Sequence, residues 1–379
     1  MKDTSGKSMI RLLCIIPVLL SILLSPAWSE AKELFIISPA IGKVRNKEND
    51  RHKAELEVIL KDKNFKKSLR KGVMGFLKRA AAKNEGVKIK RAGFGDKFDP
   101  EAILVPLLFV DNVISFVDEY GSAEQRLYKG RVYIGLNFLL FQAKSESLVY
   151  SAPMLISVPY LDKTKNFSLE PLAGQIRASI VEFFTDRKRL KADAQDELGK
   201  CLANMDYLFS TKTCAINDIS LSKGTLKRIQ NPAKYKSLAQ MLASQALSQE
   251  MMVLPPKTRF NAIRRGLHAS VSMFGVSFQQ GSDKSGFSER DNVYQTSMRM
   301  PKPETKFSLT IKTGTKDNDL GPFIERNYTT AAYLQGNGDI IKCIKAVDAT
   351  IAKDHTSVSD VNYYNSLINA LSDLDSCKR

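Results

Sequence analysis

Residues 131–158 read RVYIGLNFLLFQAKSESLVYSAPMLISV and consist of two apolar runs separated by the polar stretch KSES. In the first run, Val132, Ile134 and Leu136 occupy every second position, which is the period of a β-strand. The positions between them, Asn137 excepted, are also mostly apolar, so both faces of this strand are expected to be at least partly covered. The second run resumes directly after the turn. The stretch therefore predicts an antiparallel hairpin.

Segments of other types surround this hairpin. A short strand is predicted over 33–37, and residues 63–83 place apolar side chains at helical spacing with cations on the other sides. Further strands are predicted over 87–91 and 103–117, the latter interrupted by Pro106 and by Asp111-Asn112. A second amphipathic helix around 172–184 completes a first α+β unit.

The second half repeats this order of elements without repeating its sequence. It contains a helix over 235–252, strand patterns near 267–273 and 307–311, a hairpin over 329–346 and a final helix over 358–374. The predicted fold class is α+β, with two units of mostly antiparallel sheet packed with amphipathic helices, after a cleaved signal peptide. The predicted divisions are a signal peptide at 1–29, an N-terminal domain at 30–190, a charged helical and disulfide-bearing connector at 191–232, and a C-terminal domain at 233–379 with a mobile loop at 279–306.

The N-terminus has the composition of an export signal. Lys2, Lys7 and Arg11 precede an apolar run over 12–24, and small residues at 27–29 suit cleavage by a signal peptidase. We therefore expect a periplasmic or secreted protein. Cys14 precedes most of the apolar run, which argues against lipid attachment.

Four cysteines follow the predicted signal, and an even number in an oxidising compartment favours disulfides. The sequence-local pairing, Cys201 with Cys214 and Cys343 with Cys377, is the prediction, and the other two connectivities remain open. No metal site is predicted, because no C-x-x-C spacing occurs and the histidines are scattered.

The chain is strongly cationic, with 57 Lys and Arg against 40 Asp and Glu. Outside the cytoplasm the available polyanions are lipid head groups, envelope polymers and acidic protein faces, so nucleic acid is not expected as a partner. The predicted partners are an envelope protein or an anionic envelope polymer, with peripheral membrane contact as a further option. The residues predicted to bind an anionic partner lie on the basic helix and are Lys63, Lys66, Lys67, Arg70, Lys71, Lys78 and Arg79. The competing interpretation is that the apolar stripe of this helix packs on the sheet and its lysines are merely exposed.

Catalytic patterns are weak, and neither a catalytic residue nor a cofactor is predicted. Gly93-Phe94-Gly95 lacks the following helix and further glycine of a phosphate-binding loop. The sequence contains no Gly-x-Ser-x-Gly motif that would supply a nucleophilic serine for His52, His268 or His355. The acidic pairs Asp118-Glu119 and Asp317 with Asp319 fall at strand ends and turns, where carboxylates are common for backbone reasons.

The order of strand, basic helix, strands, hairpin and helix over 33–187 resembles the curli-secretion lipoprotein and the activator lipoproteins of penicillin-binding proteins. The resemblance is most specific over 132–151, VYIGLNFLLFQAKSESLVYS, where those families alternate through a strand and turn at a polar pair. The lipidated cysteine and the pore-forming strands of those families are not found here, so neither anchoring nor secretion is carried over. The resemblance implies a noncatalytic α+β adaptor and transfers no functional residue.

The predicted function is therefore an exported noncatalytic binding or adaptor protein of the bacterial cell envelope, acting through basic and loop surfaces. Two alternatives remain open: an envelope hydrolase with an unrecognised active site around His268 or His355, and a secreted host-directed factor.

Overall fold

The predicted hairpin is the longest feature of the first sheet. In a computed structural model of the chain, strand β5 (Leu127–Gln142) pairs antiparallel with β6 (Ser147–Asp162), from Tyr128 opposite Asp162 to Gln142 opposite Ser147. The structure describes residues 32–42, 51–82, 87–92, 102–120, 127–143, 145, 147–164, 167–186, 192–203, 212–249, 251–255, 263, 301–352, 360–372 and 377. The predicted signal peptide and most of the predicted mobile loop lie outside these residues.

The first sheet joins this hairpin to four other strands. They are β1 (Lys32–Ile36), β2 (Ala40–Gly42), β3 (Val87–Arg91) and β4 (Ile103–Tyr120). The strand order is β3-β1-β4-β5-β6, with β2 also paired to β4. Pairs made by β1 and β2 are parallel, whereas β4, β5 and β6 are antiparallel. The sheet is therefore mixed, with an antiparallel half built from its three long strands.

Strand β4 passes through the predicted interruption without ending. Its pairing with β5 shifts register between Val110 and Asn112, which leaves Asp111 as an extra residue in a β-bulge. Pro106 is also accommodated within the strand, opposite Leu140. The polar pair at 111–112 thus marks a local bend of one strand and not a turn between two.

Helices cover one face of this sheet. They are α1 (Arg51–Leu60), α2 (Lys63–Ala81), α3 (Ala173–Thr185) and α4 (Ala192–Ala203). Phe76 of α2, Phe138 of β5 and Phe184 of α3 form a ring cluster in this core, with centroids 5.0–6.0 Å apart. Helix α1 was not predicted from the sequence, and Leu56 and Leu60 are its buried anchors.

The second sheet begins inside the predicted connector. Its strands are β7 (Thr213–Leu221), β8 (Met252–Val253), β9 (Thr305–Leu320), β10 (Phe323–Gly336) and β11 (Asp339–Ala352). The order is β11-β10-β9-β7-β8, with β9, β10 and β11 antiparallel and β7 parallel to both neighbours. The β10–β11 turn has the favoured Asn-Gly chemistry, because Asn337 and Gly338 both adopt positive φ values, 50° and 91°.

Three helices pack with the second sheet: α5 (Lys223–Arg228), α6 (Pro232–Leu247) and α7 (Asp360–Leu371). Helix α6 also contacts the first sheet. Its residues share one hydrophobic core with Ile114 and Phe116 of β4, Tyr133 of β5 and the inward residues of β9 and β10. The second face of the first sheet is therefore covered, as the apolar character of both strand faces predicted.

Candidate functional site

The apolar stripe of α2 belongs to the core. Phe65, Leu69, Val73, Phe76 and Leu77 are all 5% exposed or less. The stripe packs against the sheet and α3, so it is not presented to solvent. This arrangement matches the packing interpretation of the helix and removes its apolar face as a means of inserting into a membrane.

The opposite side of α2 is a basic surface. Lys63, Lys66, Lys67, Arg70 and Lys71 follow the spacing i, i+3, i+4, i+7, i+8, which places them on one side of a helix. The four lysines are exposed, as is Lys78, and residues 63–81 include no acidic residue. We call Lys63, Lys66, Lys67, Lys71 and Lys78 the α2 basic face.

The two predicted arginines are partly engaged in the fold. Arg79 donates from Nη2 to the carbonyl oxygen of Phe184 at 2.5 Å, and Arg70 Nη1 lies 3.5 Å from Ser38 Oγ. Both side chains are half-buried. The lysines are therefore the members of the predicted set that are best placed to meet a partner.

Asp62 fixes the start of this helix. Its Oδ1 accepts a hydrogen bond from the backbone N–H of Phe65 at 2.7 Å, and its Oδ2 lies 3.0 Å from Arg177 Nη1. The backbone bond, followed by the nearby arginine, lowers the pKa of Asp62. An N-terminal carboxylate also suits the helix dipole, so the cap positions the basic face relative to α3.

The cysteines only partly follow the predicted pairing. Cys343 of β11 and Cys377 form a disulfide, with Cα atoms 4.8 Å apart. Cys201 and Cys214 do not form the predicted bond and are separate thiols, because Cys201 lies in the core under the first sheet and Cys214 lies in the core of the second. Burial raises the pKa of the Cys214 thiol to about 12.

The remaining sequence candidates are dispersed. His52 places Nε2 3.3 Å from the carbonyl oxygen of Phe167 and its ring 4.8 Å from the ring of that residue. Asp317 forms a bidentate ion pair with Arg326, with both N–O distances 2.7 Å. Gly93-Phe94-Gly95, His268, His355 and the side chains of Asp118 and Glu119 lie outside the described residues. Within the described part of the chain, no three His, Cys, Asp or Glu side chains converge as metal ligands would.

A cleft of about 890 Å³ lies between the two sheets, where α6 crosses the outer face of β4, β5 and β6. One stripe of the helix lines it, namely Ser237, Gln240, Met241 and Ser244. On the sheet side lie Asn137 and the bulged pair Asp111-Asn112. We call this space the interlayer cleft. Its remaining lining residues are Gly135, Leu136, Pro153, Met154, Ala215, Ile216, Asn217, Val253, Leu254, Pro255, Pro301, Lys302, Pro303 and Lys306.

Specific contacts fix the walls of the interlayer cleft. The Asn112 side-chain amide donates to Ser237 Oγ, and its Oδ1 accepts from the Val113 backbone N–H at 2.9 Å. Gln245 Oε1 accepts from the Leu155 backbone N–H at 2.9 Å, which joins α6 to β6. These bonds hold α6 against the sheet beside the cleft.

Other polar groups of the cleft are not used by the fold. Asn137 is only 7% exposed, yet its carboxamide has no hydrogen-bond partner among the described residues. The same holds for the side chains of Gln240 and Ser244 within that part of the chain. Buried polar groups are normally paired, so the buried Asn137 is available to a ligand in the cleft, and the half-buried Gln240 and Ser244 lie beside it.

The lining of the interlayer cleft offers several kinds of polar group. Its polar groups are carboxamides and hydroxyls, the carboxylate of Asp111 and the exposed lysines Lys302 and Lys306. A serine nucleophile would need a neighbouring base, and no histidine is among the lining residues. A second cavity, of about 580 Å³, is lined by a different stripe of α6 that includes Leu242, Gln245 and Gln249.

Sequence reasoning did not identify the interlayer cleft. Asn137 was recognised only as one position of an alternating strand, and the α6 residues that face it follow about 100 positions later. The available signal was a lone carboxamide in an otherwise apolar strand, together with the Asp111-Asn112 pair.

Comparison with known proteins gives weak similarities. No family model and no curated protein matches the sequence. Among solved structures, a neuraminyllactose-binding hemagglutinin homolog from Helicobacter pylori is 16% identical, covers 45% of this chain and 89% of its own, and has a TM-score of 0.29. A DUF330 protein from Xanthomonas campestris has 15% identity, coverages of 43% and 85%, and a TM-score of 0.20. A minor lipoprotein from Acinetobacter baumannii has 9% identity, coverages of 41% and 86%, and a TM-score of 0.16. Similarities of this size assign the chain to no family.

The described helices were also compared with the length and apolarity of a membrane span. None of them is both long enough and apolar enough to cross a bilayer.

Proposed function

We propose that this chain is an exported, noncatalytic binding or adaptor protein of the bacterial cell envelope, and that the α2 basic face docks on an anionic envelope surface. The observation that carries the proposal is the division of α2 into two sides. Its apolar side is buried in the core. Its other side carries five exposed lysines, and the helix contains no acidic residue. Such a surface attracts anionic lipid or polymer without requiring insertion.

The overall charge supports this proposal. The 379-residue chain has a formal net charge of +17, and the predicted export signal directs the protein to a compartment rich in anionic polymers. Each lysine near an anionic membrane contributes about 1 kcal/mol, so the basic face acts through the sum of several weak contacts.

A vesicle assay tests the proposal. Sedimentation with phosphatidylglycerol-containing vesicles, compared with neutral phosphatidylcholine vesicles, should show binding only to the anionic set. Reversal of Lys66, Lys67 and Lys71 to Glu should weaken that binding by about a hundredfold or more, given about 1 kcal/mol for each lysine. The matched control reverses Lys312, Lys316 and Lys342, which are exposed on the second sheet, for the same change of charge.

Salt provides a second readout. Raising the ionic strength from about 0.1 M to 1 M shortens the Debye length from about 10 Å to about 3 Å and should release the protein. Equal loss in both charge-reversed variants, or binding that does not respond to salt, would contradict docking by α2. A pull-down of the mature protein from its own envelope at low and high salt would then identify the partner.

A further inference from the structure

The interlayer cleft has the dimensions of a ligand site. Its volume of about 890 Å³ lies within the range of small-ligand pockets, roughly 300–1,000 Å³. It is also bounded by regular elements, because α6 forms one wall and β4, β5 and β6 form the other. A site built on such elements keeps its shape when a ligand enters.

The polar groups inside the cleft indicate which kind of ligand it can bind. The unengaged carboxamides of Asn137 and Gln240 each offer both N–H donors and an oxygen acceptor, and Ser244 offers a hydroxyl. A peptide group presents the matching pair of one N–H and one C=O. A sugar would favour an aromatic platform and a nucleotide a phosphate-binding loop, and the residues lining the cleft provide neither.

The apolar and charged residues of the lining further restrict the kind of ligand that the cleft can bind. Apolar side chains of the lining, among them Pro153, Ile216 and Met241, suit the side chains of an extended segment. The exposed Lys302 and Lys306 supply the two positive charges of the lining. Because Asp111 contributes a carboxylate to the same cleft, an acidic group of the ligand is expected beside the lysines and away from Asp111.

We infer that the interlayer cleft binds an extended peptide segment of a partner protein, with apolar side chains against the sheet and an acidic residue at Lys302 and Lys306. This inference goes beyond the proposed function and does not depend on the α2 basic face. It assigns the unengaged amide of Asn137 to the main chain of the ligand.

The test uses the full mature chain and an equimolar pool of synthetic random hexapeptides. After incubation and rapid gel filtration, peptides that elute with the protein are identified by mass spectrometry. The wild type should retain a subset enriched in apolar and acidic residues. Asn137→Leu, which is nearly isosteric but has no hydrogen-bonding group, should reduce retention at least about tenfold. Retention of no peptides by the wild type, or retention by Asn137→Leu equal to that of the wild type, would overturn the inference.

Further variants separate binding from folding. Gln335→Leu removes an exposed carboxamide outside the cleft and should retain peptides like the wild type. Ser244→Leu blocks the cleft from α6 and should lose them. The double variant Lys302→Ala with Lys306→Ala should lose the enrichment in acidic residues while keeping the apolar preference. All variants are compared by thermal melting, and only those that melt like the wild type are scored.

Two competing probes complete the design. Maltohexaose and dodecanoate are added separately to the peptide-loaded protein, and neither should displace the peptides. Displacement by either probe in the wild type would assign the cleft to a glycan or an acyl chain and would contradict the inference. The variant with Glu at 66, 67 and 71 should still retain peptides, so failure of vesicle docking and failure of this inference are distinguishable.

Discussion

Gly135 of β5 and Met241 of α6 are in such close contact that a Cβ atom at Gly135 would clash with Met241 Sδ. The absence of a side chain at Gly135 therefore makes room for the Met241 side chain against the first sheet. Both residues line the interlayer cleft, so this contact forms part of its wall.

Gly135→Ala should destabilise the protein, because the added methyl group would displace the Met241 side chain from its packed position. Overpacking of this kind costs about 1–3 kcal/mol in the free energy of unfolding, which denaturant titration would measure. Gly314→Ala is the matched control, since a Cβ there has no neighbour within 4 Å, and it should change stability by less than about 0.5 kcal/mol. Met241→Ala combined with Gly135→Ala should recover part of the loss. Strict additivity of the two changes would contradict a direct contact.

Phe76→Ala should destabilise the protein by about 3–5 kcal/mol, because Phe76 is 5% exposed and packs against the rings of Phe138 and Phe184. Chemical denaturation would measure the loss. If the apolar side of α2 served instead to enter a bilayer, the variant would keep its stability and lose vesicle binding. Truncation of an exposed neighbour, Ser68→Ala, is the comparison and should change stability little.

Replacement of both Cys343 and Cys377 by Ser should lower the free energy of unfolding by about 3–4 kcal/mol, as the chain-entropy model gives for a bond spanning 34 residues. The loss should match that produced by reducing the wild type under mild conditions. Unchanged stability of the double variant would show that the bond does not constrain the unfolded chain.

Cys201 and Cys214 should react slowly with iodoacetamide in the native protein and rapidly after unfolding, because both are buried thiols. Burial raises the pKa of Cys214 from an ordinary value of 9.0 to about 12, so the folded state favours its protonated form. Its contribution to stability is complete below pH 9 and is lost as the pH rises toward 12. Peptide mapping that recovers a Cys201–Cys214 disulfide would contradict the structure.

Local pattern was sufficient to predict much of the first sheet. The alternation in β5, the polar turn and the helical spacing in α2 each depend on neighbours within one element, so the sequence expresses them directly. Helix α1 was missed because five of its ten residues are polar or charged and three of them open the segment, with Leu56 and its apolar neighbours to anchor it. Strand β7 was missed for a related reason, since its register shifts between Ile216 and Asp218 and breaks the alternation.

The interlayer cleft could not be predicted from local sequence patterns. Its walls come from β5 and α6, and nothing in either segment specifies that Met241 will meet Gly135. The predicted Cys201–Cys214 pairing failed in the same way, because sequence proximity suggested it, whereas Cys201 lies in the core of the first sheet and Cys214 in the core of the second.

The position of α6 between the sheets has a consequence for truncated forms of the protein. A chain that stops before Pro232 would leave Ile114, Phe116 and Tyr133 without the cover that they have in the complete fold. Such a fragment would expose an apolar patch on its long strands. We therefore expect it to aggregate and not to behave as an autonomous module. A cut in the segment before α6 would have the same effect only after the two pieces separate, because α6 would otherwise stay packed against these residues.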